Sequence, residues 1–195
     1  MLGGVRCWIF DLDGTLTVPN HDFDAIRAEL GIPEGHLILE YLAGLPAASA
    51  APLHRELDRI EAELAATVDG QPGCRALVGA LHGAGDRVGI LTRNSRANAH
   101  LSLARIGLDD LFDDAAVLGR EDAAPKPSAD GILRLLDLWG ATPAEAAMVG
   151  DYRLDLEAGR NAGVRTVHFD DSATFAWPQL TDLGIRSLSE LLAHR

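Results

Sequence analysis

The chain has 195 residues, enough for one large domain or for a core domain carrying a smaller insert, and its 47% apolar and 24% charged residues are those of a globular protein. A formal net charge of -12 excludes a sequence-independent nucleic-acid binder, which needs basic surface to displace counterions from phosphates. No apolar run approaches the ~18 residues of a membrane span, and the early acid in MLGGVRCWIFDLD argues against a secretory signal, so a soluble, cytoplasmic protein is expected.

The first strand signal, Trp8-Ile9-Phe10, runs straight into Asp11-Leu12-Asp13-Gly14. Residues 21–68 then read as three helical pieces, HDFDAIRAEL, EGHLILEYLAGL and a longer one ending in HRELDRIEAELAATV. Leu53, Leu57, Ile60 and Leu64 recur at three- and four-residue steps in the last, the pattern of an amphipathic helix. Turn chemistry at Asp69–Gly73 closes this block. From there helices and strands alternate: RALVGALHGAG, RVGILT, SRANAHLSLARIG, AAVLG, SADGILRLLDLWG, AMVG, YRLDLEAGRNAG and VRTVHF. This rhythm predicts right-handed crossovers and a parallel sheet covered on both faces, an α/β core interrupted after its first strand by a helical insert.

Ligands of such sheets bind beyond the carboxyl ends of the strands. The candidate residues sit there: Asp11 and Asp13 after the first strand, Thr92 after RVGIL, and Asp151 after AMVG. Lys126, the single lysine beside sixteen arginines, follows AAVLG in a loop. Asp151 and Asp155 are four apart at a helix start and share one face. Carboxylates crowded at one sheet edge repel unless a cation neutralises them. Oxygen donors without suitable His or Cys spacing favour Mg2+. Beside it, a threonine hydroxyl and a lysine suit a phosphoryl group, with one aspartate as nucleophile and another as acid. Cys7 and Cys74 read as buried thiols in a reducing compartment.

With DLDGT at 11–15, ILT at 90–92, Lys126 in KPS and GDYRLD at 150–155 in that order, the chain resembles the haloacid dehalogenase superfamily, in its phosphatase branch, over essentially its whole length. The resemblance implies a HAD-like, Rossmannoid three-layer core with a parallel sheet at residues 1–17 and 83–195. It also implies a helical cap at 18–82, similar to the small cap of the phosphoglycolate-phosphatase-like group. The implied activity is Mg2+-dependent hydrolysis of a small phosphorylated metabolite through an aspartyl phosphate. Asp11 would be nucleophile and metal ligand, and Asp13 general acid/base and metal ligand through its backbone carbonyl. Thr92 and Lys126 would hold the phosphoryl group, Asp151 would bind Mg2+, and Asp155 would orient a water on the metal.

Arg93 and Asn94, just after Thr92, are further candidates for substrate binding. In the insert, His21, Arg27, His36, Tyr41, His54 and Arg55 read as solvated helix positions, and Trp139 and Trp177 as packing residues. Within the superfamily, a dehalogenase lacks the second aspartate of the first motif, and a phosphonate-cleaving enzyme needs a cap lysine that residues 18–82 do not contain. A sugar-phosphate mutase would use the same Asp11 and Asp13. A signalling receiver domain would place its extra acids before the acceptor and its lysine last, and a degenerate member would only bind a phosphorylated ligand.

Overall fold

The computed structural model describes residues 2–194. Strands β1 (Cys7–Phe10), β2 (Arg87–Leu91), β3 (Val117–Leu118), β4 (Ala146–Gly150), β5 (Arg165–Phe169) and β6 (Leu183–Ile185) form one sheet in the order β3-β2-β1-β4-β5-β6. Every pairing is parallel. β6, three residues carrying Gly184, is an addition to the five strands expected; it is too short to show a period of its own. Helices α1 (Phe23–Glu29), α2 (Ile38–Ala43), α3 (Ala47–Thr67) and α4 (Cys74–Gly83) lie between β1 and β2, followed by α5 (Arg96–Arg105), α6 (Asp130–Trp139) and α7 (Arg153–Ala162).

Alternation along β1 builds the three layers. Trp8 and Phe10 face Leu77 and Leu81 of α4 and Leu103 of α5, whereas Cys7 and Ile9 face Ile132 and Leu135 of α6 and Ala158 of α7. Trp8, Ile9 and Phe10 are fully buried, each side chain stabilising the fold by roughly 1.5–3 kcal/mol. The buried indole of Trp8 donates to Asp86 Oδ2 at 3.0 Å, so its one polar atom is satisfied. Trp139 packs over Gly89 of β2, where a Cβ would stand 2.9 Å from its ring. Cys7 and Cys74 are free and buried, and burial pushes both thiols up.

The helices after β1 form a satellite cluster around Ile26, Leu30, Leu42, Leu57 and Ile60. α4 does not belong to it. Although it falls inside the 18–82 range expected for the insert, its Cys74, Leu77, Val78 and Leu81 sit in the sheet's own core. The two connections run side by side: Val18 N donates to Asp69 O at 2.8 Å and Gln71 N to Leu16 O at 2.8 Å, with Thr17 bridged to Gly70. Among the described residues, no helix is long and apolar enough to cross a membrane.

Candidate active site

β1 delivers Asp11 to the carboxyl edge of the sheet, where its N–H donates to Val149 O of β4 at 2.9 Å. Its Oδ1 lies 2.5 Å from Lys126 Nζ, and the same ammonium stands 2.6 Å from Asp155 Oδ1. All three side chains are buried. Asp155 is held in turn at the start of α7, where its Oδ2 accepts from Tyr152 N at 3.0 Å. Asp13 is half-buried and accepts from Thr92 Oγ1 at 3.3 Å. Asn94 N donates to that same hydroxyl at 3.0 Å, and Asn94 Oδ1 accepts from Ser95 N and Asn98 Nδ2. The strand ends thus bring Asp11, Asp13, Thr92, Lys126, Asp151 and Asp155 into one cleft, with Arg93 and Asn94 lining it.

Thr15, to which the sequence pattern assigns no role, is fully buried and donates to Asp151 Oδ1 at 2.9 Å. Its place in the string DLDGT is the only local signal of that contact. Gly14 takes φ +96, and a Cβ there would sit 2.5 Å from Asp151 Oδ2. The first turn therefore needs glycine both for its backbone and for the space it leaves to the carboxylate.

The acids are crowded. Burial, then the charges of Asp11 and Asp155, pushes Asp151 up to about 8. Burial raises Asp155 to about 6 against the pull of Lys126, and it raises Asp11 against the same pull. Burial works to discharge Lys126, but Asp11 and Asp155 outweigh it and hold the ammonium charged. Carboxylate oxygens of Asp11, Asp151 and Asp155 lie within 4.8 Å of one another, so the set could hold a metal ion. The donors are all hard oxygens, as Mg2+ requires, and a cation would relieve the repulsion that raises these acids. Both Asp155 oxygens have close partners, in Lys126 and the Tyr152 amide, whereas Asp151 Oδ2 has no hydrogen-bond partner among the described residues and Asp11 Oδ2 has only a long one, 3.5 Å from Thr15 Oγ1.

The cleft has a volume of about 360 Å³. Helices α1–α3 supply its far wall, with His21 and Arg27 in the lining, whereas His36, Tyr41, His54 and Arg55 do not line it. Two arginines tie that wall to the loops beneath. Arg93 Nη2 stands 2.7 Å from Glu40 Oε2 while its Nη1 donates to the Lys126 carbonyl. Arg120 grips Glu61 with both ends of its guanidinium, at 3.0 and 2.7 Å, and also pairs with Asp58. Trp177 packs edge-on against Tyr152 and, at a tilt of 38°, against the buried ring of His168.

Known proteins resemble this chain in sequence and in fold. The chain is 28% identical over 195 residues to an uncharacterized hydrolase of Saccharomyces cerevisiae, covering 96% of this chain and 89% of that one. It is 37% identical over 82 residues to the pyrophosphatase PpaX of Bacillus cereus, covering 42% and 38% of the two chains. The crystal structure of CbbY from Rhodobacter sphaeroides in complex with phosphate superposes with a TM-score of 0.70 at 21% identity, over 96% of each chain, a likeness of fold. Residues 24–169, three-quarters of the sequence, match the family model described as haloacid dehalogenase-like hydrolase, and the chain belongs to that family.

Proposed function

We propose that this hydrolase is a Mg2+-dependent phosphatase that cleaves a small phosphorylated metabolite through an aspartyl phosphate on Asp11. The observation that carries the reading is the buried Lys126 ammonium, 2.5 Å from Asp11 and beside Thr92, the constellation that a phosphoryl dianion needs next to its nucleophile. The pyrophosphatase relative and the phosphate bound in CbbY support a phosphoryl-bearing substrate. Bound Mg2+ would offset charge on the phosphoryl oxygens; Asp11 and Asp151 would hold it by their carboxylates, Asp13 by its main-chain carbonyl.

In the first half-reaction an ionised Asp11 oxygen attacks phosphorus, the P–O bond to the alcohol breaks, and Asp13 gives its proton to the departing alkoxide. Lys126 and Thr92 steady the phosphoryl oxygens, and the Asn94 amide holds the Thr92 hydroxyl in place. In the second, Asp13 takes a proton from water as that water attacks phosphorus, releasing inorganic phosphate and restoring Asp11 and the protonated Asp13. Residues 18–70 act as a mobile cap hinged where Val18 meets Asp69, and 1–17 with 71–195 act as the core. The reading also places the enzyme in the cytoplasm, where its free thiols stay reduced.

The test is release of phosphate from p-nitrophenyl phosphate. Wild-type protein with Mg2+ should turn over many equivalents, and EDTA should stop it. Asp11→Asn should abolish turnover while its circular dichroism stays that of the wild type. Equal turnover by Asp11→Asn would defeat the assignment, and one slow phosphorylation per chain would point to an acceptor protein instead.

A further inference from the structure

The walls of the cleft differ in chemistry. Its floor is polar, carrying the acids, Thr92 and Lys126, but the wall built by α1–α3 presents Phe23, Ile26, Leu37, Ile38, Leu39 and Leu57. Leu154 and the ring of Tyr152 continue that apolar lining on the core side. Phe23 and Leu37 remain 53% and 40% exposed, so apolar surface extends to open solvent.

The charged groups of the same wall are already engaged by protein partners. Arg27 pairs with Asp24 at 2.5 Å, Glu61 with Arg120, and Arg93 with Glu40. His21 stacks on Phe23 with ring centroids 5.4 Å apart. Along this wall an alkyl or aryl leaving group would be buried with gain, whereas a polyhydroxylated one would lose its water against mostly apolar side chains and find few polar partners, the His21 ring among them.

We infer that the preferred substrates are phosphomonoesters of apolar alcohols, with Phe23 and Leu37 as specificity-determining contacts for the leaving group. This rests on the phosphatase reading and deepens it. Ester cleavage proceeds as described above; only the alcohol that departs is assigned.

The experiment is kcat/KM for a homologous series, methyl, butyl and hexyl phosphate, against glycerol 3-phosphate and glucose 6-phosphate, all with Mg2+. The primary alkyl series keeps the leaving alkoxide alike while apolar area grows. The expected result is a rise of about fourfold per added methylene, and hexyl phosphate above both polyol esters by at least about tenfold. The double variant F23S/L37S should flatten the series to below about twofold per methylene. Because both side chains are exposed, folding is not at stake in that variant. Binding of hexylphosphonate against methylphosphonate, measured by calorimetry, should show the same chain-length dependence without turnover. A flat series on an active enzyme, or a polyol ester that outperforms hexyl phosphate, overturns the inference alone. No phosphate release from any ester overturns the phosphatase reading as well.

Discussion

Lys126 Nζ and Asp11 Oδ1 stand 2.5 Å apart although their residues are separated by 115 positions in the chain. Both are buried; burial raises the carboxyl and the ammonium opposes that rise. On the proposed mechanism the ammonium favours the ionised nucleophile and donates to the phosphoryl group. Lys126→Met is expected to lower kcat at least ~100-fold at neutral pH. Its folding stability in EDTA should fall by less than the ~3–5 kcal/mol typical of a broken buried pair, because Asp11 and Asp155 can take up protons instead. Phosphate release and urea denaturation measure the two effects, and near wild-type kcat would remove Lys126 from the mechanism.

Without metal, the acid cluster makes stability depend on pH in a defined direction. Asp151 at about 8 and Asp155 at about 6 hold protons in the folded chain that an unfolded aspartate, with its ordinary value of 3.8, has released. The folded state binds more protons across this window, so stability falls as pH rises from about 4 to about 8. Thermal melts in EDTA should show Tm dropping by several degrees between about pH 5 and about pH 8. Added Mg2+ should flatten the profile, since the cation supplies the missing positive charge. A Tm independent of pH in EDTA would contradict the crowding.

The clamp of Arg120 on Glu61 predicts how the helical wall is held down. Burial raises Glu61, with Arg120 opposing, so Arg120→Met leaves a desolvated carboxyl without its partner. The expected cost is about 1–3 kcal/mol, with faster proteolytic nicking within residues 18–70. The double variant E61Q/R120M should lose less than the sum of the two single changes, as a double-mutant cycle would report. Strict additivity would mean that the pair contributes nothing.

Gly14 is the tightest point of the first turn. In Gly14→Ala the methyl would have to share space with Asp151 Oδ2, 2.5 Å away, at a backbone φ of +96 that L residues rarely adopt. A stability loss of about 1–3 kcal/mol is expected from the backbone alone. The displaced carboxylate should raise the Mg2+ concentration for half-maximal activity at least ~10-fold, the scale seen when a ligand's support is lost. A Mg2+ titration that superposes on the wild type would show that the turn can yield without moving Asp151.

The fold and most of the site can be read from the sequence because both are written locally. Trp8-Ile9-Phe10 ends in Asp11, and RVGIL ends in Thr92, so each strand names its own candidate residue. The helical periodicity of 21–68 reveals an insert but not its boundary. α4 has the same amphipathic pattern as α3, and only the packing of Leu77 and Leu81 beneath Trp8 and Phe10 assigns it to the sheet. The pairs Arg120–Glu61 and Arg93–Glu40 join residues 59 and 53 positions apart and leave no periodic trace. Thr15 was hidden differently, since a threonine in a turn looks the same whether its hydroxyl meets water or Asp151.

The segment that leaves the sheet at Thr17 and the one that returns at Gly70 touch each other. Everything between them is a detour that starts and finishes at almost the same point in space. Adding or deleting residues on such a detour alters loop entropy only slowly and leaves the strand ends undisturbed. Natural variation can therefore rewrite what the molecule selects without touching how it reacts, and a grafted segment from a relative is the corresponding route for an engineer.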